Sequence, residues 1–254
     1  MTTGLGLLVL NPNTSVSVTR LLHGHIEAAA GPALRVRSST ARFGAPYIAD
    51  EASYAVAAHA TLDAWAAALA DGTPAPHAVL IGCFGDPGLL ALREASPVPV
   101  SGLAEAAFQA AAVHGRFAIG TGGSRWAPML ARLADALGHG RRLAGIETVA
   151  PSGAELAADP AAALDLLAQA CDSAGRRFAA DVVIVGGAGL AGMAAQLQPR
   201  VRVPLVDSVA AGARWAVQAV QAAPDGARRE RAGFDLQLHG VSPALAALGR
   251  REGS

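Results

Sequence analysis

The chain of 254 residues is 52% hydrophobic and 16% charged, with 20 acidic and 20 basic side chains that cancel. It can therefore bury a full-sized core, as one large domain or two smaller ones, and is neither disordered nor a small disulfide scaffold. No basic run with interleaved aromatics occurs, which excludes the electrostatic footprint of a nucleic-acid binder and leaves a small molecule as the expected partner.

In chain order, MTTGLGLLVLNPN lacks the basic segment and small-residue cleavage site of a signal peptide. No stretch of about 18 apolar residues follows, so a soluble, cytoplasmic protein with no membrane partner is expected. Residues 5–10 form an apolar run that stops at Asn11-Pro12-Asn13-Thr14-Ser15, and 16–30 has helical character, which reads as strand, polar loop, helix. Thr14 or Ser15 can cap that helix. The loop can also present N–H groups to an anion, because a helix N-terminus carries unpaired donors and partial positive charge. Residues 34–38 alternate like a second strand. An Ala-rich helix is predicted over 48–69, with Tyr54, Ala58, Leu62, Trp65 and Leu69 at helical spacing, ended by Gly72-Thr73-Pro74-Ala75-Pro76. Apolar runs at 79–82 and 98–101 complete a half in which strands alternate with helices, a pattern that favours a parallel, doubly wound sheet.

The chain is organised around residues 77–111, where the apolar run ends in Gly82-Cys83-Phe84-Gly85 and a helical segment follows. In open α/β sheets ligands bind outside the carboxyl ends of the strands, and this turn puts a thiol there. A buried structural cysteine would fit the same sequence. The flanking glycines and the helix N-terminus beyond favour a reactive one, because backbone amides and the helix dipole lower a thiol's pKa. Asp86, before Pro87, reads as the cap of that following helix. The alternative is that it orients a substrate nitrogen.

From Arg116 the plan restarts: FAIG, the loop Thr121-Gly122-Gly123-Ser124, a helical RWAPMLARLADALG, a strand at 145–149, a helix at 159–178 and an apolar run into a Gly-rich turn at 183–189. Aligned on their turns, Gly82 matches Gly186 and Gly85 matches Gly189, and Cys83 falls opposite Gly187. Two related α/β halves account for every element. After about residue 222 the chain turns polar (APDGARRERAG) before HGVSPALAALG, read as a loop and a closing helix.

Other chemistries find less support. Gly187-Ala188-Gly189-Leu190-Ala191-Gly192 is a literal G-x-G-x-x-G with Asp207 twenty residues past Gly187, the spacing of a dinucleotide site. Only about 60 residues follow it, too few for the rest of such a domain, and the matched turn at Cys83 explains the glycines. His23 and His25 are two apart, on different faces of a helix, and no metal site is proposed. No G-x-S-x-G elbow is present. Two cysteines are too few for a disulfide framework, and a reducing compartment would leave Cys83 free. Cys171, in AQACDSAG, reads as a small packing residue.

LNPNTS, IGCFGDPG, TGGSRWAPML, GGAGLAGMAAQL and VPLVDSVAA together resemble the aspartate/glutamate/hydantoin racemase superfamily, most closely its hydantoin and allantoin racemase branch, over nearly the whole chain to about residue 222. The resemblance implies an α/β fold of two pseudo-symmetric lobes, each a mostly parallel sheet flanked by helices, with the active site in the cleft between them. Residues 1–110 would form the first lobe, with 208–254 packing back on it, and 111–207 the second. It implies catalysis without metal or organic cofactor, and a homo-oligomer is expected. Racemases of this family use two cysteines, one per lobe, on either face of an acidic α-carbon. Cys83 fits the first, and the second position is Gly187, which carries no proton. Strand-end loops hold substrate oxygens, which carries over to Asn11, Asn13, Ser15, Thr121 and Gly122, with backbone N–H groups from Phe84 and Gly85 on one side and Gly187 and Ala188 on the other. Arylmalonate decarboxylases, single-cysteine relatives, keep the second-lobe cysteine and lack the first, the opposite arrangement. The expectation is a single-thiol enzyme acting on a hydantoin-like or α-substituted carboxylate substrate. Its alternatives are a thiohydantoin desulfhydrase, a decarboxylase or a non-catalytic binding protein.

Overall fold

The alternation of apolar runs and Ala-rich segments folds as β1 (Gly6–Asn11), α1 (Val16–Ala30), β2 (Arg35–Thr40), α2 (Glu51–Ala70), β3 (Ala78–Ile81), α3 (Leu89–Ala95), β4 (Val100–Gly102) and α4 (Leu103–Ala112). The plan then repeats as β5 (Phe117–Gly122), α5 (Trp126–Ala136), β6 (Leu143–Val149), α6 (Gly153–Ala158), α7 (Pro160–Arg177), β7 (Val182–Gly186), α8 (Met193–Leu197), β8 (Leu205–Asp207) and α9 (Ser208–Ala222), with a final turn of helix, α10 (Pro243–Ala246). The structure, a computed structural model, describes residues 5–222 and 233–249. Its strands form two four-stranded sheets in the same order, β2-β1-β3-β4 and β6-β5-β7-β8, and every pairing is parallel. Parallel sheets are covered on both faces, and the central strands show it: every residue of β3 and β7 is buried.

The last helix of each half reaches across to the other. α4 packs on β7 and β8 of the second sheet, and α9 packs on α1 and β3 of the first as well as on α4. Phe108 of α4 lies at this junction, stacked on Phe117 at 5.5 Å between centroids and edge-on to Phe84 at 6.1 Å. Aromatic pairs of this kind add ~0.5–1.5 kcal/mol to their burial. One apolar core therefore runs through both sheets, joining Leu80, Phe108, Phe117 and Ile184.

Several boundaries differ from the sequence reading, and three of them bear on the site. α2 starts at Glu51 because Asp50 closes a reciprocal cap with Ser53, accepting from Ser53 N (2.9 Å) while Asp50 N donates to Ser53 Oγ (3.1 Å), so Tyr47 and Ile48 stay in the loop before it. α3 starts at Leu89 behind Gly88, six residues past Cys83. β5 continues through Gly122. The polar run 223–232 lies outside the described residues. The closing helix is one turn, capped by Ser242 Oγ and packed on α2. No described helix is long and apolar enough to cross a membrane.

Candidate active site

The carboxyl ends of β3, β5 and β7 and the loop after β1 meet in one pocket. Asn13 lines it from the first loop, Gly82, Cys83 and Phe84 from the turn after β3, Thr121 and Gly122 from β5, and Gly186 to Gly189 from the turn after β7; Val18, Tyr47, Ile48 and Trp126 close it. The cavity is about 50 Å³. Seven of the residues singled out from sequence thus come together: Asn13, Cys83, Phe84, Thr121, Gly122, Gly187 and Ala188.

Three others do not line it. Asn11 is fully buried, and its amide nitrogen donates to Asn13 Oδ1 (2.9 Å), the Ser15 carbonyl (3.0 Å) and Thr19 Oγ1 (3.0 Å). Its polar atoms order the loop and are consumed in doing so. Ser15 Oγ accepts from Val18 N (3.4 Å) as the cap of α1, which is the plainer of the two readings of that loop. Gly85 is occupied on both sides: its N–H donates to the Cys83 carbonyl (3.1 Å) and its carbonyl accepts from Tyr54 Oη (2.7 Å). Asn13 itself accepts at Oδ1 from Asn11 Nδ2 and Ser15 N, which leaves its NH₂ end as a donor for the pocket.

Cys83 is 7% exposed. Burial first, and then the nearby Asp86 carboxylate, push its thiol well above the ordinary range. The expected lowering by a helix N-terminus does not operate, because α3 begins six residues away and an acid sits between. Asp86 is a cap, but of a different helix. Its two carboxylate oxygens accept from Ala104 N (2.9 Å) and Glu105 N (2.8 Å) at the start of α4. Gly102 permits this, since a Cβ there would overlap the Asp86 carboxyl group. Burial raises Asp86 to about 7 against the pull of those amide bonds, with Glu105 adding to the rise.

In the turn after β7, Gly187 has φ 149° and its N–H donates to Ser208 Oγ (3.2 Å). A residue with a Cβ is strained at such a φ. Asp207 accepts from Gly192 N (2.8 Å), Val209 N (2.9 Å) and Ala210 N (3.0 Å), so it caps α9 and steadies the turn. The G-x-G-x-x-G run is thus a strand-end turn with its acidic residue already engaged. Cys171 is fully buried, its sulfur against Gly120 where a Cβ would crowd it, and burial pushes its thiol up to about 12. Among the described residues no group of three His, Cys, Asp or Glu side chains is arranged to hold a metal.

Sequence reasoning missed Val18, Tyr47, Ile48 and Trp126. Trp126 Nε1 donates to Tyr47 Oη (3.1 Å), a contact across 79 residues. The one available signal was that an aromatic residue stands within five positions of the Thr121-Gly122 strand end.

Two lobes of the same parallel topology, with a thiol on one strand-end turn at their junction, define a two-lobed α/β enzyme scaffold. The model of the Asp/Glu/Hydantoin racemase family matches residues 7–216, and the chain belongs to that family. It is 31% identical over 211 residues to a hydantoin racemase of Paenarthrobacter aurescens, covering 83% of this chain and 89% of that one. Against a hydantoin racemase of Pseudomonas sp. (strain NS671) it is 29% identical over 209 residues, covering 82% and 83%. The structure of allantoin racemase from Klebsiella pneumoniae superposes with a TM-score of 0.82 at 28% identity, covering 97% of this chain and all of that one. These likenesses place the chain in the hydantoin and allantoin racemase branch.

Proposed function

We propose that this chain is a cofactor-independent enzyme working through one thiol, Cys83, on a small hydantoin-like or α-substituted carboxylate substrate, with proton transfer confined to one face. The observation that carries this reading is the pairing of Cys83 with Gly187 across the pocket, where φ 149° disfavours any side chain. Cys83, as thiolate, takes the proton from the α-carbon and returns one to the same face. The enolate oxygen formed in between is met by neutral donors, of which the Asn13 amide is the best placed, since among the described residues no Arg, Lys or His lines the pocket. A base of raised pKa suits a weakly acidic carbon, at the cost of a small ionised fraction at neutral pH. The same pocket thiol serves a second reading: attack on a thiohydantoin ring carbon expels sulfide and water then displaces the thiol to leave the ring carbonyl, or the thiol protonates one face after loss of carbon dioxide.

The test is a panel of 5-substituted hydantoins, thiohydantoins and α-substituted malonates in heavy water, followed by deuterium at the α-carbon, optical rotation, sulfide and carbon dioxide release. Turnover of one class with no decay of rotation in any is expected, and Cys83→Ala should abolish it. Turnover that survives Cys83→Ala would overturn the reading, and tight binding without turnover would make the chain a binding protein.

A further inference from the structure

Trp126, the first residue of α5, sends its indole from the second lobe to the turn that carries Cys83. It is held on every side. Nε1 donates to Tyr47 Oη (3.1 Å), which itself donates to the Gly122 carbonyl (3.5 Å). The six-membered ring lies on Gly85 so closely that a Cβ there would overlap it, the pyrrole edge lies on Gly123, and Tyr54 meets the indole edge-on at 6.4 Å. Two glycines, at 85 and 123, thus make room for one large side chain, and that side chain is 5% exposed while still lining the pocket. What remains beside Cys83 is about 50 Å³, where sites for drug-sized ligands span roughly 300–1,000 Å³.

We infer that Trp126 is a specificity-determining residue, which sets the size of the substituent admitted beside Cys83, and that Tyr47 is the positioning residue that holds it there. The inference rests on reading this pocket as the substrate site. An indole clamped between two backbones does not yield to a larger ligand the way a mobile side chain would, so the limit is sharp. Differences of one or two carbons in a rigid apolar pocket change rates about 10–200-fold.

The test uses Cys83 as its own gauge and needs no turnover. Iodoacetamide and its N-phenyl analogue, iodoacetanilide, share one alkylating group and differ in size, and their rates at Cys83 are compared by peptide mass mapping, with Cys171 as the reference for intact packing. In the unaltered protein the small reagent should react at least tenfold faster. Trp126→Ala should shrink that ratio about tenfold, Trp126→Phe about threefold, and Tyr47→Phe by a smaller factor, with Cys171 still unlabelled. Should Trp126→Ala expose Cys171, Trp126→Phe decides the matter. An unchanged ratio in Trp126→Phe, or equal reactivity of both reagents in the unaltered protein, would overturn the inference. Cys83→Ala turnover tests the functional reading separately, so either can fail without the other.

Discussion

The turn after β3 and the turn after β7 occupy matching places in two sheets of identical strand order, yet they differ in chemistry and in construction. Both open on a glycine (Gly82, Gly186) and both hand over to a short helix through a glycine of similar conformation, Gly88 at φ 83° and Gly192 at φ 78°. In both, one carboxylate ties the turn to the helix after the next strand. In the first lobe the acid is on the turn, Asp86, and reaches forward to α4; in the second it is at the strand end, Asp207, and reaches back to Gly192 while capping α9. Gly102 and Asp207 hold equivalent register positions, beside Ile81 and Val185. The first turn therefore buries an acid next to its thiol, and the second has neither. The lack of a thiol at Gly187 is only part of the difference, because φ 149° there puts the backbone in a region where side chains are disfavoured.

If that asymmetry governs the chemistry, Cys83→Ala should lower turnover by about 10²–10⁴-fold, the range of general acid–base contributions, while Cys171→Ala should leave it intact, as steady-state assays would show. Next in size is the pH dependence of stability contributed by Asp86. Its folded pKa, about 7, lies above its ordinary 3.8, so the folded state holds the proton more tightly. The resulting stabilisation is complete below pH 3.8, is lost as pH rises toward 7, and is flat above, on the order of a few kcal/mol in all. Asp86→Asn should remove that slope in denaturant melts between pH 4 and 7, and Asp207→Asn should not. Turnover itself should rise with pH by up to about tenfold per unit above 7, because the raised Cys83 thiol reacts as thiolate; a plateau below pH 8 would mean that ligand binding or a neighbour activates it. The smallest effect is expected for Gly187→Cys. Strain of about 1–3 kcal/mol should lower its melting temperature, with little inversion gained, since the new sulfur would sit on a shifted backbone against Leu190.

Much of this was legible in the chain itself. Period and turn chemistry are local signals, and they placed the strands, α1 at its observed bounds, and the correspondence of Cys83 with Gly187. The pocket's apolar wall was not legible. Ile48 joins the spacing of a helix until Asp50 and Ser53 cap it first, and Tyr47 and Trp126 meet only through tertiary structure. Asp86 looked like a cap for its own helix because α4, 18 residues on, leaves no local trace. The thiol's acidity was misjudged for the same reason. A helix N-terminus can be guessed from sequence, whereas the burial that dominates Cys83 cannot.

The one-sided action of Cys83 is tested most directly by incubating the protein in heavy water with a single enantiomer of a 5-substituted hydantoin, and following deuterium at the α-carbon by NMR and configuration by chiral separation in the same samples. Deuterium gained with configuration retained, and no deuterium gained with Cys83→Ala, is the expected result. Deuterium gained at the same rate as inversion would contradict it, and would require a second proton donor facing Cys83.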